Sequence, residues 1–125
     1  MPAYDHSYSP PAPIAWATLR SPETGATVTN VPMLLYAGAD LTLVPRTVVG
    51  QLGVWPTPDR HYELMGLDGN RSLASIVNLD LILDGKAYRG PYLLSEDAVG
   101  VIGRNVLNHL SLEFDGPALE WNVSK

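Results

Sequence analysis

Apolar and polar residues alternate in several short runs along the chain, a pattern typical of β-strands with one buried face. In the clearest run, residues 72–83, aliphatic side chains fill every second position from Val77 to Leu83. Asp84-Gly85 follows at once and is a strong signal for a tight hairpin turn. Further strand-like runs lie at 14–20, 26–35, 41–45, 61–65 and 87–95, and on both sides of Asp115-Gly116. The pattern predicts short strands joined by tight turns.

Two segments have helical character. Residues 45–53 begin with Pro and end with Gly, the residues preferred at the start of a helix and just after its end, so we expect one or two helical turns there. Residues 103–110, "GRNVLNHL", predict one short helix near the C-terminus. Roughly seven short strands with one clear helix favour an all-β, barrel-like domain.

The length of 125 residues and the 46% hydrophobic content fit one domain with a real core. Residues 1–13 contain four prolines and no apolar periodicity. We therefore predict a flexible N-terminal arm at 1–13 and a single domain at 14–125. The N-terminus lacks the basic and apolar regions of a signal peptide, and no apolar run reaches the roughly 18 residues that span a bilayer, so we expect a cytoplasmic protein outside the membrane.

Charge and composition exclude several classes of function. A net charge of -5 argues against binding to nucleic acids or to anionic membranes, which need clustered Lys and Arg. The absence of cysteine rules out disulfides, thiol catalysis and Cys-ligated metals. The three histidines are scattered without ligand spacing, so we expect no metal site and no cofactor.

The most informative stretch is "VPMLLYAGADLTLVP", residues 31–45, in which an aliphatic pair leads into a Gly-Ala-Asp turn. A glycine-bearing hairpin, "MGLDGNRS", and then "GVIGRNVLNHLSLEFDGP" follow in the chain. This ordered set, over about residues 14–123, resembles the retropepsin-like aspartic proteases, which include the retroviral proteases, and suggests a bacterial-type member. The resemblance implies a retropepsin-like acid-protease barrel with one short C-terminal helix, a homodimer, and a peptide or protein substrate.

In that family each of two paired chains supplies one aspartate, in an Asp-Thr-Gly motif, and the two carboxylates share a proton. On this sequence the aspartate falls at Tyr36 and the threonine at Ala37, while Gly38, Ala39 and Asp40 match the family. A phenol stays protonated until about pH 10 and does not serve as a general base at neutral pH. The chain is therefore predicted to be inactive as an aspartic endopeptidase.

The resemblance also implies a set of substrate-binding residues. They come from the turn, from the tip of a glycine-rich flap, and from the apolar pair that supports the turn: Gly38, Ala39, Asp40, Gly66, Leu67, Asp68, Gly69, Val101 and Ile102. Three interpretations remain open: a protease domain in an inactivated form, a pseudoprotease that binds peptides or partners, and a structural dimerisation module. The pair Tyr36-Ala37 is the feature that separates the first from the others.

Overall fold

The computed structural model describes residues 2–58, 60–65 and 69–124. Within these residues the chain forms eleven β-strands and two short α-helices. In chain order the elements are β1 Ile14–Arg20, β2 Thr27–Leu35, β3 Leu43–Pro45, α1 Arg46–Leu52, β4 His61–Met65, β5 Arg71–Val77, β6 Asp80–Leu83, β7 Lys86–Arg89, β8 Tyr92–Ser95, β9 Gly100–Ile102, α2 Arg104–Leu107, β10 Leu112–Asp115 and β11 Glu120–Val123. The all-β fold predicted from the sequence is confirmed.

Nine strands form one sheet in the order β4-β5-β8-β3-β9-β2-β1-β6-β7, while β10 and β11 form a separate hairpin. The sheet curls into a half-barrel. Two of its pairings are parallel, β2 with β9 and β3 with β8. Because β2 and β9 run parallel, their C-terminal ends lie side by side. The segment that connects β2 to β3 begins at that point.

Strands that bury alternate residues, such as β1, supply much of the core. In β1, Ala15 and Ala17 are fully buried, whereas Trp16 between them is 58% exposed. The β10–β11 hairpin covers the core through Trp121, which is buried and whose indole Nε1 donates to the carbonyl of Ile14 at 3.3 Å. The apolar positions of the alternating run, from Val77 to Leu83, belong to the same core.

Two runs that the sequence predicts as single strands are each broken in the structure. The first, 72–83, divides at Asn78-Leu79, because β5 pairs with β8 whereas β6 pairs with β1 and β7. The second, 87–95, divides at Gly90-Pro91. Pro91 has no N–H for a ladder, and a Cβ on Gly90 would lie 2.4 Å from the ring of Tyr92. Alternation continues across the first break because both strands face the same core.

The predicted helix at 103–110 is also shorter than expected, since α2 ends at Leu107. The amide of His109 donates to the carbonyl of Val106 at 2.9 Å, and that of Leu110 to Leu107 at 3.0 Å. These bonds span three residues rather than four, so the last turn tightens and the helix stops.

The turn and cap signals in the sequence are confirmed. Asp84 and Gly85 have φ values of 51° and 77°, the positive pair that a two-residue hairpin of the type I′ class needs. Gly53 ends α1 in the left-handed conformation, with φ of 69°. The pairing of β2 with β9 begins at Met33, just after Pro32. At Pro32, β2 therefore pairs with β1 on one side and has no β9 partner on the other.

Residues of the predicted flexible arm contact the C-terminal hairpin. The amide of Tyr4 donates to Leu119 at 2.8 Å, and the amide of Trp121 donates to Pro2 at 2.9 Å. Asp5 and Ala12 exchange backbone hydrogen bonds, which folds the arm back on itself. The flexibility of the arm in solution stays a prediction. None of the helices in the described part of the chain has the length and apolar character that a membrane crossing requires.

A buried carboxylate joins β1, β6 and β7. Asp80 is 2% exposed, and its two oxygens accept hydrogen bonds from Arg20 Nη2 at 3.0 Å and from Arg89 Nε at 2.8 Å. The bond from Arg89, supported by the one from Arg20, lowers the pKa of Asp80 below its ordinary value of 3.8, although burial acts in the opposite direction. The ion pairs therefore contribute stability that depends on pH.

Because the pKa of Asp80 is lower in the folded chain, its contribution to stability is present above the unfolded pKa, near pH 4, and is lost as the pH falls through the folded pKa. We expect Asp80→Asn to lower the free energy of unfolding by about 1–2 kcal/mol at neutral pH, since both guanidiniums are partly exposed, and by little in strong acid. Urea denaturation over a pH series measures this. Asp84→Asn, which changes an exposed turn carboxylate, should leave the profile unchanged. An equal loss at acidic and neutral pH would contradict the assignment.

Candidate functional site

The Tyr36–Asp40 turn begins where β2 ends, and backbone hydrogen bonds fix it to the second half of the chain. The amide of Tyr36 donates to the carbonyl of Ile102 at 3.1 Å. The amides of Arg104 and Asn105, in α2, donate to the carbonyls of Ala39 and Asp40 at 2.9 and 3.2 Å. The end of β9 and the start of α2 therefore set the conformation of the turn.

Thr42, just after the turn, adds a buried polar link to α2. Its side chain is fully buried. The hydroxyl donates to Asn105 Oδ1 at 2.8 Å and accepts a hydrogen bond from the amide of Gly103 at 3.0 Å. Sequence reasoning missed both Thr42 and Asn105. The one signal for them is a polar residue between the apolar positions Leu41 and Leu43.

Gly103 fits tightly beneath the turn. A Cβ at this position would lie 2.5 Å from the carbonyl oxygen of Leu41 and 2.9 Å from that of Ala39. Real Cβ atoms do not approach backbone this closely. The contact between the turn and α2 therefore requires glycine at position 103.

The chain resembles known proteins in its structure but not in its sequence. No family model matches the chain, and no curated protein matches it. The chain superposes on the EIAV protease complexed with the inhibitor HBY-793 with a TM-score of 0.56. The two chains share 17% sequence identity, over 78% of this chain and 86% of that one. The fold is retropepsin-like.

Within this retropepsin-like fold, Asp40 is held by an arginine. Arg104 Nη2 forms an ion pair with Asp40 Oδ1, and Arg104 Nη1 donates to the carbonyl of Ala37 at 2.6 Å. Both side chains are partly exposed, at 44% for Arg104 and 66% for Asp40. A carboxylate engaged in this way stabilises the turn by pairing with α2. Sequence reasoning did not single out Arg104, because its partner lies 64 residues earlier in the chain.

Tyr36 lies at the start of the turn and is half exposed. Its ring folds over Gly38, since a Cβ on Gly38 would lie 2.5 Å from the ring atom Cζ and 2.6 Å from the hydroxyl oxygen. The ring therefore covers the backbone of the turn. A larger residue at position 38 would have to displace it.

One hollow borders the turn, and a second lies beside the strands that lead into it. One, of about 270 Å³, separates the turn from β4 and is lined by Gly38, Ala39, Asp40, Leu41, Leu43, Tyr62, Glu63 and Leu64. The other, of about 370 Å³, is lined by Tyr8, Leu34, Asp97, Ala98, Val99, Gly100 and Val101. Leu34 and Val101 are neighbours in the parallel pairing of β2 with β9.

The other predicted substrate-binding residues fall in different places. Val101 lines the second hollow, whereas Ile102 is fully buried in the core and contributes its backbone carbonyl to Tyr36. Gly69, with φ of 84°, leads into β5. The remaining flap-tip positions, Gly66, Leu67 and Asp68, lie outside the described residues.

Tyr8 lines the second hollow although it belongs to the predicted arm. Nothing in its local sequence indicates this contact. Within residues 2–58, 60–65 and 69–124, no three His, Asp or Glu side chains lie together in a way that could hold a metal ion.

Proposed function

We propose that this chain is a bacterial-type retropepsin-like aspartic protease domain in a catalytically inactive form, with Tyr36 and Ala37 in the places of the family's Asp and Thr. The observation that carries the proposal is the geometry of the turn. The end of β9 and the start of α2 hold the turn, yet the group folded over Gly38 is a phenol ring. The aspartic mechanism needs a pair of carboxylates that share a proton, one of which activates water.

Neighbouring carboxylates do not replace the missing one. Asp40 is paired with Arg104, and Glu63, across the first hollow, is paired with Arg71 at 3.1 Å. Each carboxylate has one oxygen engaged by a guanidinium, and neither stands at position 36, where the family's aspartate would fall. These pairs support a domain without aspartic chemistry.

The same geometry favours retained peptide binding as the remaining activity. The hollow beside Leu34 and Val101 offers an apolar surface at the end of two paired strands, as the side-chain pockets of extended peptides do. The hollow beside Asp40 and Tyr62 is lined by both polar and apolar side chains, among them Leu43 of β3. Together they support a module that holds an extended peptide without cleaving it.

We expect the chain to bind peptides from an extended, apolar-rich library and to release them uncut. Val101→Thr should weaken binding by roughly fivefold, because it removes about 1 kcal/mol of apolar contact while keeping the size of the side chain. Fluorescence anisotropy measures affinity, and mass spectrometry of the bound peptide reports cleavage. Val48→Thr, a half-buried change on α1, is the matched control. Cleaved products from the unmodified chain, removed by a pepstatin-type inhibitor, would refute inactivity.

A second expectation is a two-fold homodimer. The chain carries one copy of the turn, and the family builds one cleft from two copies, so a closed two-fold arrangement would bring two Tyr36 turns near the axis. The bulk of Tyr36 and the loss of the Thr hydroxyl should weaken the interface. Sedimentation velocity over a concentration series should show a monomer–dimer equilibrium. A monomer at every concentration would argue against a family-like dimer, whereas peptide binding by that monomer would leave the inactive binding domain standing.

A further inference from the structure

A separate cavity lies beside α2. It measures about 260 Å³ and lies between β7, the first residue of β8, and the segment from α2 to His109. Its lining residues are Ala87, Tyr88, Arg89, Tyr92, Asn105 and His109. None of them lines the hollow that borders the turn or the one beside β2 and β9.

The unused hydrogen-bonding groups of this cavity are donors. Arg89 gives Nε and Nη2 to Asp80, so its Nη1 donors have no acceptor among the described residues. Asn105 uses Oδ1 to accept from Thr42, so the amide nitrogen Nδ2 remains. Both of these donors belong to side chains that line the cavity.

The local charge is positive although the chain as a whole is acidic. Arg20 and Arg89 both pair with the single carboxylate of Asp80, which leaves one positive charge in excess. Within the described residues, neither arginine has a second carboxylate in ion-pair range, and no carboxylate lines the cavity. Burial raises the pKa of Tyr92, so its phenol stays neutral and adds no negative charge.

The walls of the cavity are held in place by the fold. The rings of Tyr88 and His109 stack with centroids 6.2 Å apart and an interplanar angle of 29°. The hydroxyl of Tyr92 donates to the backbone carbonyl of Tyr88. Asp80 and Thr42 hold the side chains of Arg89 and Asn105, so the two donors are arranged before any ligand arrives, which lowers the entropic cost of binding.

We propose that this cavity binds a small oxyanion, namely a phosphate or carboxylate group. The ligand oxygens accept hydrogen bonds from Arg89 Nη1 and Asn105 Nδ2, and the excess positive charge balances the anion. Charge-assisted hydrogen bonds of this kind are about twice as strong as neutral ones. The proposal is independent of peptide binding at the Tyr36–Asp40 turn.

The test is a titration of the full chain with inorganic phosphate and, separately, with acetate, at constant ionic strength. Amide chemical shifts report the site, and we expect saturable changes confined to residues 87–92 and 105–109. A response to phosphate alone assigns a phosphate group, a response to acetate alone assigns a carboxylate, and a response to both assigns a general oxyanion site. No saturable response to either anion, or an equal response to sodium chloride, overturns the proposal.

Substitutions of residues that line the cavity test whether the anion binds there. Asn105→Asp keeps the acceptor for Thr42 and replaces the free donor with a negative charge, so we expect no detectable binding. Arg89→Gln should weaken binding by about tenfold or more. Arg46→Gln, which removes an exposed arginine paired with Glu96, is the matched control and should bind normally.

Because Arg89 also supports Asp80, Arg89→Gln could unfold the chain. His109→Gln instead changes an exposed side chain that lines the cavity and stacks on Tyr88, and it should weaken binding by a few-fold, with His61→Gln, on β4, as its control. Unchanged affinity in both Asn105→Asp and His109→Gln overturns the assignment to this cavity.

Discussion

The double variant Tyr36→Asp/Ala37→Thr is expected to hydrolyse peptides that the unmodified chain leaves intact. The supports of the turn are already in place: the ion pair of Arg104 with Asp40 and the buried bond of Thr42 to Asn105. Aspartate is also much smaller than tyrosine, so the substitution clears the ring that now covers Gly38. In a two-fold dimer, two such carboxylates would meet and share one proton, as the aspartic mechanism requires.

The two substitutions should contribute unequally. Tyr36→Asp alone supplies the reacting group and should give weak activity. In retropepsin-like proteases this threonine hydroxyl bonds across the dimer, so Ala37→Thr should hold the two turns in register. Because a misplacement of about 1 Å can cost about a hundredfold in rate, the double variant should be roughly tenfold to a hundredfold faster than the single one. Activity should be highest at acidic to near-neutral pH, where the pair of carboxylates carries a single proton.

A cleavage assay with a broad peptide library, read by mass spectrometry, compares the unmodified chain, Tyr36→Asp and the double variant. Tyr36→Asn/Ala37→Thr is the matched control, since it has the same shape without a carboxylate and should be inactive. Inhibition of the double variant by a pepstatin-type compound would support the aspartic mechanism. A folded, dimeric double variant without activity would show that more than the turn has been lost, and would leave peptide binding or dimerisation as the function.

Local signals in the sequence were sufficient for several elements of the fold. The hairpin at Asp84-Gly85 and the end of α1 at Gly53 were predictable because each depends on the backbone preference of one or two residues. The break at Asn78-Leu79 was not, because it marks a change of strand partner from β8 to β1. Such a change depends on residues far away in the chain and leaves the alternation of apolar residues intact.

The candidate site likewise has a part that the sequence predicts and a part that it does not. The Gly-Ala-Asp turn was recognisable from its order of residues. Its supports were not, because Thr42 bonds to a residue 63 positions later and Asp40 pairs with one 64 positions later. The contribution of Tyr8 to the second hollow was hidden as well, since the proline-rich composition of its segment indicated only a flexible arm. The local sequence predicts the turn itself. The residues that hold the turn belong to α2, and the arrangement of the sheet brings them beside it.

Gly103→Ala is expected to destabilise the chain by about 2–4 kcal/mol, through a steric clash with backbone atoms. Gly103 has φ of -94° and ψ of -175°, an extended conformation that alanine adopts without strain. The cost therefore comes from space alone: the new Cβ would meet the carbonyl oxygens of Leu41 and Ala39, and neither can move without pulling the turn away from α2. The hydrogen bond from the amide of Gly103 to the buried hydroxyl of Thr42 would be strained as well.

Gly50→Ala is the matched control for this substitution, because Gly50 is exposed on α1 and a Cβ there would meet no atom within 4 Å. Alanine at a helix position should stabilise the chain by about 0.5–1 kcal/mol, so the two identical chemical changes are expected to act in opposite directions. Urea denaturation at neutral pH measures both free energies of unfolding. A loss below about 0.5 kcal/mol for Gly103→Ala, within the usual range of surface substitutions, would mean that the turn and α2 do not approach as closely as the geometry indicates. A large loss in Gly103→Ala, with a gain in Gly50→Ala, would establish that the contact beneath the turn holds the Tyr36–Asp40 segment in place.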